Sequence, residues 1–104
     1  MEIDLGAERL LAAERGEEKI AVEVKSFLVG TSAISEFHTA LEQFINYRVA
    51  LRQKEPKHLL YLAIPNLVYN SFFQLDFPAS VLQENAVKII VYDIELAQII
   101  QWKT

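Results

Sequence analysis

Glu23 and Lys25 lie two residues apart in a mostly apolar segment whose pattern predicts a β-strand. Side chains at positions i and i+2 of a strand point to the same face, so a carboxylate and an ammonium emerge side by side. Val22 and Val24 would then point the other way, into a core. Such a pair suits metal-assisted phosphodiester cleavage, in which the carboxylate holds a divalent cation. The lysine orients or deprotonates the attacking water, or stabilises the charge that develops on phosphorus.

The alternative interpretation of this pair is structural. Strands often carry charges on their solvent face, and an exposed ion pair on an edge strand would show the same spacing. A catalytic site also needs a second acid near Glu23. Asp4 lies on another apolar stretch upstream and is the first candidate, and Glu8 is the alternative.

An acid followed at a distance by Glu-x-Lys on a hydrophobic strand resembles the pattern of the PD-(D/E)xK nuclease superfamily. Within that pattern, the run Ile3–Phe27 closely resembles the XisH family. Members of this family are known as fdxN-element excision controlling factors and are associated with DNA rearrangement in cyanobacteria. The resemblance continues through Leu41–Arg48 and Leu60–Pro65 to the closing Ile99–Trp102, so it covers essentially the whole chain.

The resemblance implies two kinds of function. In one, the chain is a controlling or accessory factor for site-specific excision of a DNA element, alongside a separate recombinase or a companion factor called XisI. In the other, it is an active DNA endonuclease, with Mg²⁺ or Mn²⁺ held by Glu23 together with Asp4 or Glu8. Lys25 would then act at the phosphate and the nucleophile. A catalytically inert protein-interaction module on the same fold is the remaining alternative.

At its amino terminus, this sequence departs from the family that it resembles. Family members usually carry a leading helix and a first strand before the segment that begins at Ile3. In the wider superfamily that helix often contributes an acid to the site. We therefore expect a domain that lacks these elements and exposes apolar surface, which predicts a homodimer or a constitutive protein partner.

Residues 33–54 are predicted to form an amphipathic helix, because their apolar residues recur at intervals of three and four. Thr31 and Ser32 are plausible N-caps, and Pro56 ends the helix. Gln43 and Tyr47 lie one turn apart and share a face. A Gln-x-x-x-Tyr pair on the helix after the Glu-x-Lys strand resembles an accessory motif of RecB-like nucleases, where it frames the active site. Otherwise the pair is the polar flank of the helix.

Residues 5–15 have high helix propensity, yet we predict a strand there. Gly6 stands near the start, and Arg15-Gly16-Glu17 is a turn signal followed at once by a clear strand. The expected element is a long hairpin in which residues 2–14 pair against 18–27. With the turn at Gly16, the residue across from Glu23 is nearer Glu8 or Arg9 than Asp4, unless a bulge near Gly6 corrects the offset.

The remaining pattern predicts an α/β fold (α+β in some schemes) with a restriction-endonuclease-like core. Its mixed sheet contains the hairpin and buried strands at 58–64 and 87–92, and the helix 33–54 packs across one face. Further elements are expected at 66–73 (a short helix or turn), 79–85 (a helix introduced by Pro78) and 97–102 (a strand or helix).

Composition sets the limits of this interpretation. The chain has 104 residues and a net charge of −4, and its length predicts one domain, residues 1–104. It has no cysteine, which excludes disulfides and thiolate zinc sites. No apolar run approaches the roughly 18–20 residues of a membrane-spanning helix, and the first residues are acidic where a signal peptide is basic. We therefore expect a cytoplasmic protein with no membrane association.

The negative charge argues mildly against strong non-specific binding of nucleic acid. Positive charge is nevertheless concentrated in one stretch of the chain. It could face phosphates beside the acidic site, or it could be the basic end of a helix, which the helix dipole favours. The stretch contains Arg48, Arg52, Lys54, Lys57 and His58.

Overall fold

The computed structural model describes residues 2–5, 9–27 and 32–103. Within them the chain forms one mixed β-sheet and a set of helices. The strands are β1 (Glu2–Asp4), β2 (Arg9–Arg15), β3 (Glu18–Val24), β4 (His58–Pro65), β5 (Lys88–Asp93) and β6 (Gln98–Lys103). The helices are α1 (Ala33–Lys54), α2 (Asn66–Tyr69) and α3 (Asp76–Glu84), with a turn of 3-10 helix at Phe72–Gln74. This confirms the predicted combination of helices with a mixed sheet.

The sheet runs in chain order from β1 to β6. The first three strands are antiparallel to one another, β3, β4 and β5 are parallel, and β6 returns antiparallel to β5. The strands predicted at 58–64 and 87–92 are confirmed to within a residue, and the segment predicted as strand or helix at 97–102 is a strand. The parallel centre of the sheet contains β3, so the Glu-x-Lys strand is not an edge strand.

The predicted hairpin turn at Gly16 is confirmed, and β2 is a strand despite its helix propensity. Arg15 pairs with Glu18, and Gly16 between them has a φ of +64°, a conformation that glycine adopts without strain. Since β2 pairs along five residues of β3, cross-strand hydrogen bonds and burial outweigh the local preference of Leu, Ala and Glu for helix.

Helix α1 has the predicted bounds. Ser32 is its N-cap, and the Ser32 hydroxyl accepts a hydrogen bond from the backbone N–H of Ser35 at 3.3 Å. The helix ends at Lys54, two residues before Pro56, since the residue before a proline disfavours helical dihedrals. Helix α3 begins earlier than predicted, at Asp76, because Pro78 in its first turn has no intrahelical hydrogen bond to lose.

Helix α1 covers one face of the sheet, and the larger part of the core lies beneath it. Phe37, Phe44 and Leu51 of the helix are each 1–2% exposed and share this cluster with Leu62 of β4. The α2, 3-10 and α3 segments pack against the same cluster through partly buried apolar side chains. In the part of the chain that is described, the helices therefore lie on a single face.

The opposite face has a smaller apolar cluster around Tyr61 of β4. The Trp102 ring stands edge-on to Tyr61 with centroids 5.3 Å apart, and the Arg15 guanidinium lies 4.2 Å from the Trp102 centroid. Val22 packs against this cluster, whereas Val24 is 50% exposed. The prediction that both valines point into the core is therefore wrong for Val24, because this last residue of β3 lies on the same face but outside the cluster.

Tyr92 gives this second face a pH dependence. Burial raises the pKa of the Tyr92 hydroxyl above its ordinary value of 10.0, because the phenolate is poorly solvated there. The folded state then holds the proton more tightly than the unfolded chain, so this contribution to stability is complete below pH 10 and is lost as the pH rises further. We expect the wild type to lose stability above pH 10 more steeply than Tyr92→Phe, measured by urea unfolding at stepped pH. Equal slopes for the two proteins would contradict this.

None of the helices in the described ranges combines the length and apolar character needed to cross a membrane.

Candidate functional site

The carboxyl end of β3 positions Glu23 and Lys25. Glu23 pairs with Leu62 of the parallel strand β4, and the Lys25 backbone N–H donates a hydrogen bond to the Ala63 carbonyl at 2.9 Å. Because β3 lies between two paired strands, its backbone is held on both sides. The two side chains therefore project from a rigid base, on the face that α1 covers.

The two side chains form a partly buried ion pair. The Lys25 Nζ lies 3.9 Å from Glu23 Oε2, and the side chains are 29% and 6% exposed. Glu23 is the one charged residue in the described part of the chain that is buried. Burying a carboxylate costs free energy unless charges or hydrogen bonds compensate it. A buried carboxylate is therefore seldom kept for the stability of the fold alone. The interpretation of the pair as an exposed surface contact is therefore wrong.

Gln43 and Tyr47 of α1 face the same place. Both line a pocket of about 260 Å³ together with Glu23 and Lys25. The Gln43 Oε1 is buried and has no hydrogen-bond partner among the residues described. A buried amide oxygen without a protein partner is uncommon, and this one is free to contact a ligand or water in the pocket. The structure thus brings together four of the predicted site residues from a strand and a helix that lie far apart in sequence.

The structure does not bring Asp4 to this pocket. Strand β2 separates β1 from β3, and Asp4 pairs with Arg9. Its neighbour Ile3 is buried beneath α1 opposite Leu10, which lines the pocket beside Glu23. Successive side chains alternate between the faces of a strand, so Asp4 projects from the other face.

The predicted adjacency of Asp4 and Glu23 is therefore wrong, because residues 2–4 form a separate strand that folds back on β2. They do not continue the hairpin against β3. Glu8, the alternative acid, lies outside the described residues.

Sequence reasoning missed a neighbouring acid on α1. Lys25 also lines a smaller cavity of about 130 Å³ with Glu36 and Thr39. Glu36, Thr39, Gln43 and Tyr47 follow one another at intervals of three and four residues, so they form a polar stripe along the helix. That spacing was visible in the sequence, and it extends the Gln43 and Tyr47 motif by two turns toward the amino end of α1. Lys25 therefore lies between two carboxylate-bearing cavities.

The described residues around the pocket offer few ligands for the divalent cation that the sequence implies. The described residues contain no group of three histidine, cysteine, aspartate or glutamate side chains able to hold a metal ion. The pocket does offer the Glu23 carboxylate and the unpartnered Gln43 oxygen, which are both hard oxygen donors. Mg²⁺ is commonly held by one or two carboxylates, with water and substrate phosphate as further ligands. The residues therefore fit a site with one carboxylate that a substrate phosphate completes.

Comparison with known proteins identifies the family of this chain. The family model described as XisH protein matches residues 1–100. The chain belongs to the XisH family. None of the curated proteins compared with it gives a match.

Two solved structures are similar to the whole chain. One is a fdxN element excision controlling factor protein from Anabaena variabilis, with 58% sequence identity and a TM-score of 0.90. The alignment covers 100% of this chain and 82% of that one. The other is an XisH family protein from Nostoc punctiforme, with 57% identity and a TM-score of 0.88, covering 100% of this chain and 83% of that one.

Proposed function

We propose that this chain is a controlling factor for the excision of a DNA element, and that it acts through a phosphodiester-binding site of the PD-(D/E)xK kind. The observation that carries the proposal is the convergence of Glu23, Lys25, Gln43 and Tyr47 on one pocket. The similarity to the Anabaena variabilis factor supports the biological context. On this proposal the fold is a restriction-endonuclease-like core, with β3 as the strand that carries the site.

Each residue of the pocket has a distinct role in this proposal. The Glu23 carboxylate and the Gln43 amide oxygen hold Mg²⁺ or Mn²⁺, which when bound supplies Lewis-acid polarisation of a phosphoryl oxygen. The Lys25 ammonium, 3.9 Å from Glu23, interacts with the phosphate and stabilises the negative charge that builds up there. The half-buried Tyr47 closes the pocket from the helix side, so that the phosphate is held between strand and helix.

Control without strand cleavage is the second candidate, and one observation favours it. Glu23 is the one carboxylate that lines the pocket in the described residues, and Asp4 faces away from it. A site with a single acid can bind a phosphate through a cation and yet position the attacking water poorly. The DNA would then be bound at this pocket while a separate recombinase cuts it. The predicted homodimer and the predicted XisI-like or recombinase partner stay predictions.

The test compares wild type with Glu23→Ala and Lys25→Ala on supercoiled plasmid DNA in Mn²⁺. We expect nicking by the wild type and background levels in both variants, because each change removes a group that contacts the cation or the phosphate. Lys19→Ala is the matched control, since Lys19 lies on the same face of β3 but is exposed and does not line the pocket. It should nick like the wild type.

Binding of the same DNA is measured in Ca²⁺, which occupies oxygen-ligand sites. Binding that weakens in Lys25→Ala, with no nicking by any variant, supports control without cleavage. Equal nicking and equal binding in all four proteins would overturn the proposal. In cells, a factor in which Lys25 is replaced is expected to no longer control excision of the DNA element.

A further inference from the structure

A separate pocket lies on the other flank of α1, at the amino-terminal ends of β4 and β5. Its volume is about 310 Å³, and its apolar floor includes Phe44 and Leu51. The side chains on its lining that can carry charge are all basic, namely Arg48, Arg52, His58 and Lys88. No aspartate or glutamate of the described residues lines it. We call this cavity the basic pocket.

Arg48 is fixed in the wall of the basic pocket. Its Nη1 donates hydrogen bonds to the backbone carbonyls of Asn85 at 2.7 Å and Ala86 at 3.5 Å. Its guanidinium also lies 5.4 Å from the centroid of the Phe44 ring. These contacts hold the group in place but are all with neutral partners, so they leave its positive charge uncompensated.

His58 adds a second basic side chain to the lining of the pocket. Its Nδ1 is buried without a hydrogen-bond partner, and the nearest charge is the Glu55 carboxylate at 3.8 Å, which is too long for a hydrogen bond. Glu55 is 48% exposed and reaches His58 from solvent, outside the lining of the pocket. No hydrogen bond within the described residues therefore ties up this ring nitrogen, and the imidazole stays available to a ligand of the pocket.

The helix dipole explains only part of this arrangement. It favours basic residues in the last turn of a helix, which accounts for Arg52. Lys54 is also in that turn, but its ammonium donates to the Asp4 carbonyl and takes no part in the pocket. Lys88 comes from β5, a different part of the chain. Convergence of basic groups from a helix and two strands needs a cause other than the dipole.

We propose that the basic pocket is an oxyanion site that takes a phosphate group. A fixed guanidinium matches the geometry of phosphate oxygens, Lys88 and Arg52 add charge from two other directions, and the apolar floor limits competition from water. The site is separate from the pocket of Glu23. Its register places it toward the start of β3, because His58 pairs with Lys19 and not with the residues near Glu23.

The test titrates inorganic phosphate into the protein at constant ionic strength, with binding followed by calorimetry and by the NMR signals of the His58 ring. We expect saturable binding, with sulfate competing. Lys88→Gln and Arg52→Gln should each weaken it about tenfold, the effect of losing one charge-assisted hydrogen bond. These two side chains make no hydrogen bond or ion pair within the described structure, so folding should be unaffected.

Lys57→Gln is the matched control, because Lys57 is an exposed neighbour that does not line the pocket. It should bind phosphate like the wild type. An absence of saturable binding, or equal weakening in Lys57→Gln, would overturn the proposal.

Two oligonucleotides identify the source of the phosphate, one with a 5′-terminal phosphate and one without. Equal binding by both, sensitive to Lys88→Gln, assigns the site to internal phosphates of nucleic acid. Binding by free phosphate or the terminal monoester alone assigns it to small ligands. Both results support the site. Because neither readout needs Glu23 or Lys25, failure here is distinguishable from failure of the proposed nuclease-like site.

Discussion

Replacing Phe37 by alanine is expected to lower the free energy of unfolding by about 3–5 kcal/mol, the usual cost of removing a buried phenyl ring. Phe37 is 1% exposed and packs edge-on against Phe72 and Phe73, with centroid distances of 5.5 and 5.6 Å. It thus joins the first turns of α1 to the 3-10 segment. Since single domains have a stability of only about 5–15 kcal/mol, the variant should be near the limit of folding.

Chemical denaturation measures this change, and Phe77→Ala is the matched control. Phe77 is 57% exposed, and its ring contacts only the edge of His38, with centroids 6.4 Å apart, among the ring contacts described. Its loss should change the free energy of unfolding by roughly 0.5 kcal/mol or less, as is usual for surface positions. Similar losses in the two variants would show that Phe37 does not hold α1 to the 3-10 segment.

The sequence predicted the elements whose local signals and tertiary environment agree. Helix α1 has an N-cap at Ser32, a proline after its end, and apolar residues at helical intervals, so its bounds could be predicted to the residue. The buried strand β4 is a continuous apolar run that ends at Pro65. Both elements lie at the centre of the fold, where burial reinforces the pattern.

The sequence could not predict how the first residues pair. Asp4 was expected beside Glu23, but alternation and register place it on the opposite face, opposite Arg9. A strand of three residues carries little hydrophobic pattern. A shift of one residue in its register moves every side chain to the other face of the sheet. Pairing of β1 with β2 is decided by burial of Ile3 beneath α1, which is a tertiary contact.

Part of the candidate site was nevertheless predictable. Glu23 and Lys25 share a face because of strand geometry, and Gln43 and Tyr47 share one because of helical geometry. What local pattern could not show is that these two faces meet. That depends on how α1 lies against the sheet, where its main strand contact is β4, the neighbour of β3. The same packing brings Glu36 to a cavity that Lys25 also lines, and this acid was missed because it lies two turns before Gln43, outside the motif considered.

Replacing Glu23 by glutamine is expected to remove the response of the protein to Mn²⁺ with little loss of stability. Glutamine keeps the shape of the side chain but loses its charge, and Lys25 is 29% exposed, so its ammonium remains solvated. Replacing one member of a deeply buried pair usually costs several kcal/mol, but the partner here can reach water. We therefore expect the free energy of unfolding without metal to change by about 1 kcal/mol or less, in either direction.

The metal response is measured as the shift in Tm on addition of Mn²⁺ at constant ionic strength. A ligand that binds only the native state at about 100 times its Kd adds about 2.7 kcal/mol, so the wild type should gain several degrees. Glu23→Gln should gain almost nothing, because the carboxylate is the charged ligand in the pocket. Glu84→Gln is the matched control, since Glu84 is an exposed carboxylate at the end of α3, and it should respond like the wild type. If Glu23→Gln and the wild type gained the same Tm, the metal would bind elsewhere, and the buried Glu23 carboxylate would not be a metal ligand.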